Sequence, residues 1–271
     1  MMSPGKITRE SVHFWIYYVS LCLLVISLPA SRYFLSISLF WLAGNWIAEA
    51  NFRGKFKKFA SNKPAIAFTL IYALYVFGLI WSADIKYALN NDLLHKLPTL
   101  FMPIIFVTSP VPDAKKIRLL LMLFIASVIT VSLIGLAIRI TQPGASYREA
   151  SPFMPGIYLG MMVVLAAFQL PLLVKQISNS RLLFIAGLAL SAWLIFFLFY
   201  LRNLSGIASF AGVSFYLIAL LIFRSRSIYF KLTVAICFLL LTGFVSLPLV
   251  KIYKQTHSEI ETDFRTLEEY T

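Results

Sequence analysis

Charged residues are scarce in this chain. They make up 13% of its 271 residues, about half of the share found in an ordinary soluble domain. Apolar residues make up 60%, and the mean hydropathy is +0.83, so a soluble core of this size could not bury them all. They occur in blocks of about 17–24 residues, the length that a helix needs to cross a bilayer. We therefore predict an all-α membrane protein.

Cysteine and histidine are also rare. Cys22 and Cys237 lie in apolar blocks, where they are expected to pack as small hydrophobic residues. His13, His95 and His257 are far apart in the sequence, and no phosphate-binding loop, metal-ligand cluster or nucleophile elbow accompanies them. The sequence therefore predicts neither a metal site nor a cofactor.

The net charge of +13 raises the question of a nucleic-acid partner. The basic residues, however, are distributed between the apolar blocks and form no continuous basic stripe. We therefore expect the lipid bilayer to be the partner of this charge, and no nucleic acid to bind.

The apolar blocks predict a transmembrane helical bundle of about nine spans. The spans are expected at 13–31, 33–49, 64–82, 96–110, 117–140, 152–174, 182–201, 205–223 and 230–250. The fourth contains Pro98 and Pro103, and we expect it to be kinked or partly re-entrant. The bundle is predicted to cover residues 1–250, and residues 251–271 to begin a periplasmic loop or tail.

The distribution of basic residues predicts the orientation. When alternate loops are counted, 15 of the 24 Lys and Arg residues lie on the side of the N-terminus. Basic loops stay in the cytoplasm, so the N-terminus is predicted to be cytoplasmic. The segment 51–63 is the clearest anchor and would attract anionic headgroups.

Polar segments between the spans are the places where chemistry could occur. The first is 81–98 on the predicted outer side, in which Ile85, Leu89, Leu93 and Leu97 recur every four residues. This spacing is typical of an interfacial amphipathic helix. Such a helix is either a simple connection or an entry surface for an amphipathic lipid.

The second segment is the short turn that contains Arg202. Small residues recur at helical spacing near the start of the helix after it, at Ser205, Gly206, Ser209 and Gly212. Small residues allow close helix approach. The guanidinium either extends to the lipid headgroups or binds a pyrophosphate through paired hydrogen bonds.

The third segment runs from Arg139 to Arg148 and precedes a span that contains Gly156 and Gly160. The G-x-x-x-G spacing favours helix packing over a catalytic role. Arg148 is nevertheless a candidate to lie near Arg202 on the same side of the membrane.

Together these segments resemble the O-antigen ligase and O-antigen polymerase superfamily of bacterial envelopes. The resemblance rests on Trp81-Ser82-Ala83-Asp84 leading to Lys96-Leu97-Pro98, on the Arg202 turn, and on the polar stretch after the ninth span. It covers nearly the whole chain as a pattern. It implies a bacterial inner-membrane protein that transfers a sugar chain from undecaprenyl pyrophosphate to lipid A core or to a growing glycan, without metal or nucleotide.

The resemblance also implies site residues. Arg202 matches the arginine of the family's turn, although Asn203-Leu204 here separates it from Ser205-Gly206. Arg148 and Lys96 are further candidates for substrate binding. The family's loop histidine, the catalytic base, has no counterpart before Thr271, so we expect an N-terminal portion that is inactive alone.

The sequence leaves the choice between ligase and polymerase open. It also leaves two alternatives to a glycan transferase. One is a transporter or flippase of a lipid-linked substrate, and the other is a helical scaffold without chemistry.

Overall fold

The computed structural model describes residues 8–82, 84–141 and 151–224, with side chains except at 91, 92 and 221–224. Within these ranges all regular structure is helical and no strand occurs. The helices are α1 (Arg9–Ala30), α2 (Arg32–Ala48), α3 (Phe52–Ala60), α4 (Lys63–Gly78), α5 (Ile85–Tyr87), α6 (Leu94–Thr108), α7 (Ala114–Thr141), α8 (Gly156–Ile177), α9 (Arg181–Tyr200) and α10 (Leu204–Arg224). The all-α prediction is confirmed for these residues.

Five of these helices are long and apolar enough to cross a membrane: α1, α4 with its 3₁₀ extension to Trp81, α7, α8 and α9. Each overlaps one of the predicted spans, which supports a multi-pass membrane protein. The second predicted span is α2, with 17 residues, and the fourth is α6, with 15. The eighth is α10, while 230–250 and 251–271 lie outside the described residues. The count of nine and the cytoplasmic N-terminus stay predictions.

The chain divides into two compact units, residues 1–124 and 125–271, with the division inside α7. In the first unit, α1 and α2 form an antiparallel hairpin. Its core joins Tyr17, Leu21 and Leu24 of α1 to Leu42 of α2 and Ile105 of α6. Apolar side chains gain little by leaving lipid for protein, so close van der Waals packing in this cluster is what positions α6 against the hairpin.

Polar side chains join the open end of the α1–α2 hairpin. His13 Nδ1 lies 2.8 Å from Asn45 Oδ1, and Asn45 Nδ2 donates to the His13 carbonyl at 3.0 Å. One turn nearer the N-terminus, the Arg9 guanidinium donates to the Ala48 carbonyl at 3.0 Å. These bonds fix the register of the two helices, and they give His13 a structural role.

The predicted interfacial segment is helical. Asp84 caps α5 by accepting a hydrogen bond from Tyr87 N at 2.9 Å, and a π-helical stretch (Ala88–Leu93) then continues into α6. Leu93 is buried, whereas Ile85 and Leu89 are exposed, so the apolar stripe is only partly covered by protein. Both prolines of the fourth predicted span lie inside α6.

In the second unit, α8 packs against both α9 and α10. Its buried face is formed by Leu159, Val163, Ala166 and Leu170, which recur at helical spacing. The Trp193 indole donates to Ser132 Oγ at 3.0 Å and so ties α9 to the second half of α7. This packing holds the α9–α10 turn at the end of α8 that begins with Gly156.

Candidate functional site

The α9–α10 turn holds Arg202 in an unusual backbone conformation. Its φ is 49°, in the left-handed region, which costs a residue with a Cβ about 1 kcal/mol. The turn is nevertheless well bonded, because Leu201 N donates to Phe197 O at 2.9 Å and Arg202 N donates to Phe199 O at 3.1 Å. This geometry is a common way to end a helix, but glycine or asparagine usually occupies the left-handed position. The Arg202 side chain is exposed.

Asn203 begins the next helix and also contacts α8. Its Oδ1 accepts a hydrogen bond from Ser205 N at 3.1 Å, and its carbonyl accepts one from Ile207 N at 3.0 Å, the bonds of a helix N-cap. Because the cap requires an acceptor, the Ser205 bond assigns Oδ1, and the amide nitrogen points the other way. Asn203 Nδ2 is buried and has no hydrogen-bond partner in the part of the chain that the structure describes.

Two glycines, Gly160 of α8 and Gly206 of α10, make the close contact between these helices possible. A Cβ built on Gly160 would lie 3.1 Å from Gly206 Cα and 3.1 Å from Asn203 Nδ2. A Cβ built on Gly206 would lie 3.0 Å from Gly160 Cα, and one on Gly156 would lie 3.5 Å from Asn203 Nδ2. The predicted helix packing is therefore confirmed for Gly160, whereas a Cβ at Gly156 would meet Asn203 at an ordinary van der Waals distance.

The expectation for the small residues of α10 is only partly correct. A Cβ built on Gly212 meets nothing within 4 Å among the described residues, so this glycine does not mediate close approach. Ser209 Oγ donates to the Ser205 carbonyl of its own helix at 2.8 Å. The close contact is confined to the first turn of α10, next to Arg202.

Arg202 lies two residues before the first residue of a 21-residue helix, α10. The dipole of a helix favours an anion near its amino end, and an arginine adds positive charge there. The arrangement can bind an anionic group, and it offers no nucleophile or base by itself. Among the described residues, no three His, Cys, Asp or Glu side chains are placed to hold a metal ion.

Lys96 belongs to the first compact unit. Its Nζ lies 3.9 Å from the centroid of the Tyr75 ring, so α4 and α6 are joined by a cation–π contact. The preceding residue, His95, has its Nδ1 3.1 Å from the Asn90 carbonyl. His95 and Ser36 also line an apolar groove of about 370 Å³ between α2 and α6.

The three predicted site residues do not all fall within one described unit. Arg202 lies in the second compact unit and Lys96 in the first, and each is described within its own unit. Arg148 lies outside the described residues. That these residues share one site stays a prediction.

Sequence reasoning missed the role of Asn203 and singled out only the arginine before it. The signal was available, because asparagine before an apolar helical run is a strong N-cap pattern. What the pattern could not reveal is that Asn203 also lies against Gly156 and Gly160 of another helix.

Comparison with protein-family models, curated proteins and solved structures found no match for this chain.

Proposed function

We propose that the chain is a multi-pass protein of the bacterial inner membrane that transfers a glycan from undecaprenyl pyrophosphate to lipid A core or to a growing glycan. It would have about nine spans and a cytoplasmic N-terminus. The α9–α10 turn would face the periplasm, and Arg202 would bind the diphosphate. Lys96 and Arg148 are further candidates for the same headgroup.

The observation that carries this proposal is the conformation of Arg202. An exposed arginine occupies a left-handed position that glycine would adopt without strain. Backbone geometry alone therefore gives no reason for an arginine, whereas a guanidinium before a helix N-terminus suits a diphosphate. In transfer, the acceptor hydroxyl oxygen bonds to the anomeric carbon as the carbon–oxygen bond to the diphosphate breaks. The diphosphate leaves with the electron pair, and the hydroxyl proton passes to it or to water. The positive charge of Arg202 would stabilise that departing anion.

Binding of a fluorescent undecaprenyl pyrophosphate to the chain in nanodiscs tests this assignment. We expect Arg202→Gln to raise the dissociation constant by about tenfold or more, because a charge-assisted hydrogen bond contributes roughly 1.5–3 kcal/mol. Arg202→Lys should show an intermediate loss, since it keeps the charge but not the paired geometry. Arg181 is the matched control, because it is an exposed arginine at the other end of α9.

The proposal fails if the wild-type chain does not prefer the pyrophosphate to undecaprenol. The site assignment fails if Arg202→Gln binds undecaprenyl pyrophosphate as tightly as the wild type does. It also fails if Arg181→Gln loses as much affinity as Arg202→Gln. In a complete homologous enzyme, lysine in place of the arginine that matches Arg202 should sharply reduce glycan transfer, measured as covalent product.

The groove between α2 and α6 favours a second candidate, a flippase of a lipid-linked substrate. Its walls include Leu39, Phe101 and Met102, and its polar residues His95 and Ser36 are few. An apolar groove with a polar part can hold a lipid chain beside its headgroup without any bond being broken. Movement of a labelled carrier across liposomes, with no covalent product, would favour this function over transfer.

A further inference from the structure

The short helix α3 lies between α2 and α4, and the chain enters it through an abrupt turn. Ala50 and Asn51 both have left-handed backbones, with φ of 58° and 53°. The helix has nine residues, about 14 Å of length. It lies immediately before α4, one of the five helices able to cross a membrane. α3 is therefore placed where membrane helices meet the bilayer surface.

One lysine of α3, Lys55, is buried in the protein interior. The Lys55 ammonium lies 2.9 Å from Glu49 Oε2 and donates to the Trp46 carbonyl at 2.6 Å. It also lies 4.7 Å from the centroid of the Trp46 ring, and its side chain is only 5% exposed. A buried ammonium needs such partners to offset its loss of hydration. Lys55 thus anchors α3 to the end of α2.

The other basic residues of α3 point away from the protein. Arg53, Lys57 and Lys58 are exposed, and among the described residues none of their side chains forms an ion pair or hydrogen bond. Phe56 is 60% exposed, and Phe52, one helical turn before it, is 41% exposed with its ring edge-on to Trp46 at a centroid distance of 5.6 Å. α3 therefore presents exposed aromatic rings and unpaired positive charge together.

We propose that α3 is an interfacial helix that binds the phosphates of anionic phospholipids through Arg53, Lys57 and Lys58. Phe52 and Phe56 insert at the level of the acyl chains, as in other interfacial amphipathic helices. The charge is complementary to an anionic lipid surface, to which each nearby Lys or Arg adds about fivefold in affinity. The inference rests on the chain lying in a bilayer and is independent of glycan transfer.

Quenching by brominated lipids tests the proposal in the whole chain. A bimane fluorophore is attached at Ala60→Cys, at the end of α3, after both native cysteines are replaced by alanine. The protein is reconstituted in phosphatidylcholine with either brominated phosphatidylglycerol or brominated phosphatidylcholine. We expect severalfold stronger quenching by the anionic lipid at equal mole fraction, and a smaller difference at 0.5 M salt, about the ionic strength at which exposed charges are screened.

A triple variant, Arg53→Gln, Lys57→Gln and Lys58→Gln, should lower this preference to about one. The matched control neutralises three exposed basic residues outside α3, which are Lys115, Lys175 and Arg181, and should keep the preference. The proposal is overturned if the wild type shows no preference for the anionic lipid. It is also overturned if the two triple variants lose this preference equally. No quenching by either lipid would instead refute the bilayer location on which the proposed function also depends, whereas a preference without pyrophosphate binding would refute only the transferase.

Discussion

Replacing Gly206 by alanine tests whether close approach of α8 and α10 positions the Arg202 turn. The new Cβ would lie 2.7 Å from Leu198 Cδ1, 3.0 Å from Gly160 Cα and 3.3 Å from Gly160 C. The leucine methyl can rotate away, but the two backbone atoms cannot move without separating the helices. Overpacking of this kind costs roughly 1–3 kcal/mol.

Gly212 supplies a matched control in the same helix, because a Cβ there meets nothing within 4 Å among the described residues. Alanine favours a helix over glycine by about 0.8–1 kcal/mol, so Gly212→Ala should be neutral or slightly stabilising. Because both changes are Gly→Ala in the same helix, this gain largely cancels, and the free energies of unfolding of the two variants should differ by roughly 1–3 kcal/mol.

Reversible unfolding in mixed micelles with increasing dodecyl sulfate, followed by circular dichroism, measures this difference. Gly206→Ala should also weaken pyrophosphate binding, because separation of the helices moves Asn203 and the turn before it. Equal stability of Gly206→Ala and Gly212→Ala would refute the reasoning, since the contact with Gly160 could then not be tight.

Three further changes have defined outcomes. Arg202→Gly should raise the free energy of unfolding by about 1 kcal/mol by relieving the left-handed strain while it weakens pyrophosphate binding; destabilisation would show that the side chain has a structural role. Lys55→Ala should lower the free energy of unfolding by roughly 1–3 kcal/mol, because the Trp46 carbonyl and Glu49 lose their donor. Lys58→Ala should change it by less than about 0.5 kcal/mol, and similar values for the two variants would contradict the anchoring role. In a cysteine-free chain, Ser82→Cys should react with an impermeant maleimide in intact cells and Ser61→Cys only after permeabilisation; reaction of both from outside would reverse the predicted orientation.

The helical fold could be predicted because bilayer length imposes a simple rule on sequence. Apolar blocks became helices with bounds shifted by a few residues, as for 117–140, which is α7 (Ala114–Thr141). α3 was not predicted as a helix, because its four basic residues and single glycine look like a topology loop. The helical spacing of Phe52, Phe56 and Phe59 was a signal that sequence reasoning missed. The contacts of Lys55 with Glu49 and Trp46 are visible only in the structure.

The site could be predicted only as a list of residue types. Arg202 stands out in the sequence because it lies in a short polar turn between apolar spans, but its left-handed backbone is a property of the chain reversal between α9 and α10. The same holds for Lys96, whose contact with the Tyr75 ring requires α4 and α6 to pack together. Spacing identified charged residues, and only packing shows what each one touches.

The buried amide of Asn203 links the α9–α10 turn to the contact between Gly160 and Gly206. Its Oδ1 is used to cap α10, so its Nδ2 must lie against α8, where it has no acceptor among the described residues. An unpaired buried donor costs about 1–3 kcal/mol, and a side chain at Gly160 would displace it. The close α8–α10 packing must therefore offset both this cost and the strain at Arg202. We conclude that the packing of α8 and α10 offsets the cost of a strained backbone at Arg202 and of a buried amide beside it that has no partner among the described residues.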